Sequence, residues 1–154
     1  YQADVIVRIT SDCPLIEPEI IDGVVGEYLK NPLLDYVSNT LAPRTFPHGL
    51  DVEVVSFEAL KCAWEEDNNY EWREHVTPYI YRHPEKFTIR TVANDKDLSY
   101  MRWTVDTPED LDFVRHIYEH FCHDHFSWKE VLALLEKNPE WLEINRHIKQ
   151  RQVP

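Results

Sequence analysis

Two apolar, β-branched segments of the chain each run directly into an aspartate, and a helix-forming stretch follows each one. The first segment covers residues 3–10 and leads to Asp12, and the second covers residues 101–105 and leads to Asp106. Strands that alternate with helices favour an α/β fold, with a mostly parallel or mixed sheet flanked by helices. In such sheets ligands bind beyond the C-terminal ends of the strands. The sequence therefore predicts two carboxylates at the ligand-binding edge of an α/β sheet.

Local patterns predict the elements of this fold. The apolar run over residues 3–10 predicts a largely buried strand, and further strands are predicted at 35–38, 51–55, 87–92 and 101–105. Capping residues, or Pro in the first turn, predict helices that begin near Glu17, Ser56, Thr107, Ser127 and Asn138. One more helix is predicted over residues 73–82, kinked or split by Pro78.

Length and charge restrict the class of protein. The 154 residues make one domain or a large piece of one. The net charge is −12, with 28 Asp and Glu against 16 Lys and Arg, so binding to nucleic acid or an anionic membrane is not expected. No apolar run approaches the roughly 18–20 residues of a membrane span, and the N-terminus lacks a signal-peptide pattern. These features predict a soluble, cytoplasmic protein.

Glycine and cysteine usage excludes several kinds of site. With only three glycines, neither a P-loop nor a dinucleotide-binding glycine loop can be written from the chain. The three cysteines lack CxxC spacing, so they predict no disulfide framework and no four-cysteine zinc site. Each is expected to be a small buried or half-buried side chain.

Asp12 and Asp106 are the candidate metal ligands. Mg²⁺ prefers oxygen ligands and keeps several waters together with substrate phosphates, so two carboxylates from adjacent strand ends could share one ion. Each aspartate also has a purely structural interpretation as a cap or turn residue, because Asp106 directly precedes a Thr-Pro helix start. Spacing alone does not decide whether the two side chains meet.

A second candidate metal group surrounds Cys122 and consists of His116, His120, His123 and His125. His116 and His120 lie four residues apart on a helix, a spacing that can bind Zn²⁺. No HExxH motif is present, and a fourth ligand is undefined. A solvent-facing polar stripe is the favoured interpretation.

Five ordered blocks of the chain resemble the cytidylyltransferase family of CMP-KDO and acylneuraminate synthetases. The first block reads Val-Arg-Ile-Thr-Ser-Asp-Cys-Pro-Leu-Ile over residues 7–16 and continues to residue 22. The others cover 35–40, 44–53, 73–79 and 102–111, of which the last reads Arg-Trp-Thr-Val-Asp-Thr-Pro-Glu-Asp-Leu. The chain is most similar to the spore-coat polysaccharide biosynthesis protein F branch of this family.

The resemblance implies a nucleotide-diphospho-sugar transferase fold of the GT-A-like kind. It implies activation of an acidic or unusual sugar with CTP, giving a CMP-sugar and pyrophosphate for surface polysaccharide synthesis. Asp12 and Asp106 then hold Mg²⁺ and are the catalytic residues. Substrate binding falls to one predicted set: Arg8, Arg44, His48, Asp51, Glu53, Arg73, Glu74 and His75.

Two groups in this set keep structural alternatives. The loop from Arg44 to Glu53 is either a wall of the sugar site or a surface loop that leads into an edge strand. Arg44 could bind a carboxylate or phosphate as a fork, while His48, Asp51 and Glu53 could bind sugar hydroxyls. For the set Arg73, Glu74 and His75, a satisfied structural network is slightly favoured over direct substrate contact.

The family's N-terminal nucleotide-binding loop has no counterpart in the chain. The expectation is a single domain over residues 1–154 that forms the C-terminal portion of a cytidylyltransferase domain, with extra helices over about 127–150. The isolated chain is expected to be inactive, with an exposed strand edge. The resemblance also makes a homodimer an expectation.

Two other functions stay open. One is a non-catalytic sugar-binding or assembly module derived from the same fold. The other is a glycosyltransferase of related fold, which needs an Asp-x-Asp metal motif, but Asp95 and Asp97 lie in a polar stretch that predicts a turn. The sequence leaves open the sugar, where nonulosonic acids and KDO both fit, and the preference for CTP.

Overall fold

The computed structural model describes residues 3–150. In chain order the strands are β1 (Val5–Arg8), β2 (Tyr36–Ser38), β3 (Glu53–Ser56) and β4 (Ile89–Thr91). The helices are α1 (Pro18–Leu29), α2 (Phe57–Glu66), α3 (Tyr70–His75), α4 (Pro78–Tyr81), α5 (Pro108–Phe121) and α6 (Trp128–Lys137). A 3₁₀ helix follows at Pro139–Glu143. Since no helix in residues 3–150 is both long and apolar enough, none could cross a membrane.

The four strands form one mixed sheet in the order β1-β3-β2-β4. β3 pairs antiparallel with both β1 and β2, with Val7 opposite Val54 and Val37 opposite Val54, and β2 pairs parallel with β4. The predicted mixed sheet with flanking helices is confirmed. Parallel pairings are nevertheless the minority among the described strands, because β2 and β3 are joined by a loop that returns the chain, and not by a crossover helix.

Residues 101–105 do not form the predicted strand. Their backbone instead contacts two loops in turn: His48 N–H donates to the carbonyl of Met101, and Trp103 N–H donates to the carbonyl of His48. Val105 N–H then donates to the carbonyl of Asp12. Within residues 3–150 the segment has one isolated parallel bridge, between His48 and Arg102, and no longer ladder. The segment therefore joins the 44–53 loop to the end of β1.

β1 is an edge strand, and the prediction that it is largely buried is wrong. The side chain of Ile6 packs on one face of the sheet with Tyr36 and Val55. Val5 and Val7 project on the other face and are 40% and 43% exposed. An apolar sequence predicts burial on both faces of a strand, but among the described residues β1 has only β3 as a neighbour.

Helices cover both faces of the sheet and enclose two apolar clusters. The larger cluster lies under α1, α5 and α6, and its fully buried members include Val24, Phe113, Ile117 and Trp103. The smaller cluster joins the sheet to α2 and α4 through Tyr36, Val55, Ala59 and Ile80. Burial of each large side chain stabilises the fold by roughly 1.5–3 kcal/mol.

Three of the predicted helix caps are present. The Ser56 hydroxyl accepts from Ala59 N–H, and capping boxes join Thr107 to Asp110 and Ser127 to Glu130. The predicted helix over 73–82 is split in two at Val76, whose φ is 70°. Asn138 leads into a 3₁₀ helix rather than an α-helix.

One cysteine differs from its prediction. Cys13 is buried and Cys62 is half-buried, but Cys122 is exposed. Cys122 ends α5 in the left-handed conformation, with φ 57°, and this position points away from the core.

Candidate functional site

A cleft of about 800 Å³ opens where five parts of the chain converge. They are the end of β1 with residues 8–12, the loop before β3 with residues 40–53, and residues 74–82, 102–107 and 148–150. Besides Asp12 and Asp106, seven of the predicted site residues line it: Arg8, Arg44, His48, Asp51, Glu53, Glu74 and His75. The cleft therefore brings together sequence blocks that are far apart in the chain.

Asp12 is half-buried at the end of the β1 segment and is held by a neighbouring hydroxyl. Thr104 Oγ1 donates to Asp12 Oδ2 at 2.9 Å. Burial alone would raise the pKa of Asp12, but hydrogen bonds from Thr10 and Thr104 outweigh it and lower the pKa below its usual value. Asp12 is therefore an ionised carboxylate at neutral pH.

Asp106 lines the same cleft as Asp12, and the backbone of its neighbour Val105 is hydrogen-bonded to the Asp12 carbonyl. Its side chain is 50% exposed, and Arg102 Nη2 donates to Oδ2 at 2.7 Å. The structural interpretation of Asp106 as a cap does not apply. Asp110 takes that role, since its Oδ2 accepts from the backbone N–H groups of both Asp106 and Thr107 at 3.0 Å.

Sequence reasoning missed the buried network behind Asp106. Arg102 binds both carboxylate oxygens of Asp110 at 2.8 Å, and Asn145 Nδ2 donates to Asp110 Oδ1 at 2.9 Å. Burial would raise the pKa of Asp110, but the bonds from Arg102, the Asp106 N–H and Asn145 lower it to about 2. Arg102 and Asp110 lie four residues to either side of Asp106 in the chain, but this spacing alone does not show that the two side chains meet.

The loop that leads to β3 is fixed by an internal ion pair. The Arg44 guanidinium pairs with Asp51 and also donates to the carbonyl groups of Phe46 and Pro47. The structure thus places Arg44 in the cleft wall with its donors turned to its own loop.

His48 lies in the same wall and is neutral. Burial, together with the positive charge of Arg44, lowers the pKa of His48 to about 4. A neutral imidazole has one nitrogen that donates and one that accepts, which suits it to a hydroxyl ligand.

The end of β1 and the end of the loop before β3 are joined by a second arginine–carboxylate pair. Arg8 Nη1 donates to Glu53 Oε2 at 2.9 Å, and the Thr77 hydroxyl donates to both Glu53 oxygens at 3.2 Å. Burial raises the pKa of Glu53, and the charge of Arg8 partly offsets that rise. The bonds from Arg8 and Thr77 therefore fix the Glu53 side chain in the lining of the cleft.

Of residues 73–75, the first makes contacts within the fold, and the other two line the cleft. The Arg73 guanidinium donates to the carbonyls of Asp67 and Trp64 and lies 4.6 Å from the centroid of the Trp64 ring. Glu74 and His75 line the cleft, whereas Arg73 does not. The favoured structural interpretation therefore describes the contacts of Arg73.

The carboxylates of Asp12 and Asp106, in the cleft, are oxygen ligands that suit a hard divalent cation. Asp12 is ionised, and Asp106 has one oxygen held by Arg102 while its side chain is half exposed to the cleft. Among residues 3–150 no group of three or more His, Cys, Asp or Glu side chains could hold a metal. Two carboxylates are enough for Mg²⁺ only when substrate phosphates and water complete its ligands. The arrangement can therefore hold a metal ion that also binds phosphate oxygens, next to a wall of polar side chains.

The other candidate groups lie elsewhere. His116 and His120 pack edge-on against the ring of Trp141. Asp97 accepts from the backbone and hydroxyl of Ser99, as a turn residue does. The turn interpretation of the Asp-x-Asp stretch is thereby supported.

Comparison with known proteins gives a consistent result. The family model described as cytidylyltransferase matches residues 1–146. An uncharacterised protein of Methanocaldococcus jannaschii is 37% identical over 98% of this chain and 61% of its own length. The spore coat polysaccharide biosynthesis protein SpsF of Bacillus subtilis is 28% identical over 88% of this chain and 56% of its own length.

A solved structure has the same fold. A cytidylyltransferase from Leptospira borgpetersenii superposes with a TM-score of 0.86 at 31% identity, covering 97% of this chain and 61% of the neighbour. The chain thus spans somewhat more than half the length of the relatives that it matches.

Proposed function

The chain belongs to the cytidylyltransferase family, and from that premise we propose that it transfers a cytidylyl group from CTP to a sugar. The acceptor is an acidic or otherwise unusual sugar, and the products are a CMP-sugar and pyrophosphate. The similarity to a spore coat polysaccharide protein supports a role in surface polysaccharide synthesis. A cytoplasmic location and a homodimer stay predictions.

One observation carries the proposal: the carboxylates of Asp12 and Asp106 lie in the same cleft as the polar loop of residues 44–53. In this assignment Asp12 and Asp106 hold Mg²⁺. The ion, when bound, neutralises the polyphosphate and stabilises charge on the departing pyrophosphate. Oxygen ligands of this kind and number fit Mg²⁺ that keeps waters and phosphates in its shell.

The reaction needs no covalent intermediate on the protein. The oxygen of a sugar hydroxyl attacks the α-phosphorus of CTP, the bond to the β-phosphate breaks, and pyrophosphate leaves while the hydroxyl loses its proton. The protein contributes mainly position and charge.

We assign the positioning of the sugar to the polar side chains that line the cleft. The neutral His48 imidazole can accept from one hydroxyl and donate to another, and the Glu53 and Asp51 carboxylates can accept from others. Arg8 and Arg44 orient these carboxylates through their ion pairs. Glu74 and His75 extend the same surface.

The test is release of pyrophosphate. Each nucleoside triphosphate is incubated with Mg²⁺ and a panel of acidic sugars, using this chain and any longer product that its gene encodes. We expect release with CTP from at least one of the two proteins, and at least a hundredfold loss in its Asp12→Asn and Asp106→Asn variants. Asp22→Asn, an exposed carboxylate on α1, is the matched control and should keep full activity.

Two outcomes would change the assignment. Sugar binding by calorimetry without release of pyrophosphate from any nucleotide would favour the non-catalytic module. Release that survives in both aspartate variants would remove the metal assignment while leaving the family membership intact.

A further inference from the structure

The last described residues of the chain enter the cleft. Ile148, Lys149 and Gln150 line it together with Arg102, Asp106 and Thr107. These last residues, 148–150, lie outside the five sequence blocks that carry the family resemblance, and beyond the segment that the family model matches. They thus form a wall of the cleft that the proposed function leaves without a role.

The path of this segment into the cleft is fixed by hydrogen bonds. Asn145 is 2% exposed, and its Nδ2 donates to the carbonyl of Arg102 and to Asp110, both at 2.9 Å. Ile148 N–H donates to the Asn145 carbonyl at 3.0 Å. The Arg102 Nη1 group then donates to the side-chain oxygen of Gln150. One buried arginine therefore anchors both Asp106 and the segment at 148–150.

The charges of the cleft make Lys149 distinct. Three arginines of the cleft are engaged by carboxylates: Arg8 by Glu53, Arg44 by Asp51, and Arg102 by Asp106 and Asp110. The guanidinium of Arg82 lies over the ring of Trp72. The Lys149 side chain is exposed, and within residues 3–150 the structure gives its ammonium group no hydrogen-bond or ion-pair partner.

An anionic ligand in this cleft meets several carboxylates and needs an opposing cation. Such a cation is most effective when its charge is not already neutralised by a neighbour. We propose that residues 148–150 are part of the substrate site and that Lys149 binds an anionic group of a substrate. This inference rests on the proposed function, where the anion is either a phosphate of CTP or the carboxylate of the sugar.

The kinetic test separates the two sources of the anion. KM for Mg·CTP and KM for the sugar are measured separately in Lys149→Gln. Lys61→Gln, an exposed lysine on α2 outside the cleft, is the matched control. Loss of a charge-assisted hydrogen bond should raise one KM about tenfold, while the control leaves both unchanged. A rise for CTP assigns Lys149 to a phosphate, and a rise for the sugar assigns it to the carboxylate.

The anchor provides a second variant. Gln150→Ala removes the acceptor for Arg102 and should raise the same KM by a smaller factor. If neither KM changes by more than twofold in Lys149→Gln, the inference is overturned.

A binding measurement keeps the inference separate from the proposed function. If neither this chain nor a longer product releases pyrophosphate from any nucleotide, the proposed function fails, and pyrophosphate and an acidic sugar are each titrated by calorimetry in the presence of Mg²⁺. Binding of either probe that is about tenfold weaker in Lys149→Gln than in Lys61→Gln supports an anion site at Lys149. Equal binding of both probes in the two variants, or no binding of either to the wild-type chain, overturns it.

Discussion

Asp106 owes its position to an arginine that lies almost fully buried behind it. Arg102 divides its donors between the exposed carboxylate of Asp106 and the buried carboxylate of Asp110. A buried ion pair gains little net stability, yet removal of one partner leaves an uncompensated buried charge. The network therefore fixes the geometry of the site more than it stabilises the fold.

The substitution Asp110→Asn tests the role of the buried ion pair between Arg102 and Asp110. The free energy of unfolding should fall by about 3 kcal/mol at pH 7, because Arg102 loses its buried counter-charge. Asp112→Asn, whose side chain is exposed on the same helix, should change it by less than about 0.5 kcal/mol. Chemical denaturation at pH 7 measures both.

The pH dependence of the same variant has a definite sign. The folded pKa of Asp110 is about 2, below the usual 3.8, so its contribution is present above pH 3.8 and lost as the pH falls towards 2. The difference in the free energy of unfolding between wild type and Asp110→Asn should therefore become smaller as the pH falls over this range. If this difference in the free energy of unfolding stays constant from pH 7 to pH 2, the ionised form of Asp110 is not what stabilises the fold.

At this scale the sequence identifies carboxylates but not what surrounds them. Asp12 and Asp106 are predictable because apolar segments run directly into them. Asp110 is recognisable only as an acidic residue in the first turn of α5, because nothing local reveals that it faces Arg102. The partners Asn145 and Gln150 lie 35 or more residues away in the chain, and only the tertiary fold brings them together.

At the scale of the elements, Gly49 determines how closely the loop before β3 approaches residues 101–105. Gly49 has φ 101°, a conformation that side chains with a Cβ rarely adopt. A Cβ there would lie 2.4 Å from Thr104 N and 2.5 Å from the carbonyl carbon of Trp103. Both are backbone atoms and cannot rotate away. The wall with His48 and the segment before Asp106 can meet only because this residue is glycine.

Gly49→Ala should lower the free energy of unfolding by at least about 2–3 kcal/mol, from strain and from the clash. Gly23→Ala is the matched control, because a Cβ at Gly23 in α1 meets nothing within 4 Å. That control should raise stability by about 0.5–1 kcal/mol. Thermal unfolding of the two variants side by side measures the contrast. Equal effects of the two substitutions would contradict the close approach.

Helix ends are more predictable than strands in this chain. The caps at Ser56, Thr107 and Ser127 depend on side chains within three residues, which a local pattern contains. Residues 101–105 have the composition of a strand, but they bind two loops instead of a neighbouring strand. The burial of β1 is overestimated for the same reason, since strand partners are not encoded locally.

At the scale of the whole molecule, the cleft is a meeting point of five segments that are separate in the chain. The fold class is predictable because the order of apolar and helical patterns limits the possible layers. The proportions of parallel and antiparallel strand pairs are not predictable, because the loop between β2 and β3 carries no periodic signal. The cleft itself depends on the bond between Val105 and Asp12, which joins segments more than 90 residues apart.

The proposed activity depends above all on Asp12 and Asp106 sharing one metal ion in this cleft. The direct measurement is the affinity for Mn²⁺ as a probe of the Mg²⁺ site, by electron paramagnetic resonance in the presence of CTP. It is made on the wild type, Asp12→Asn, Asp106→Asn and the double variant. Ligands of one ion act as a unit, so the double variant should bind Mn²⁺ about as weakly as either single variant. Wild-type affinity in either single variant, or losses that add up in the double variant, would contradict a shared site.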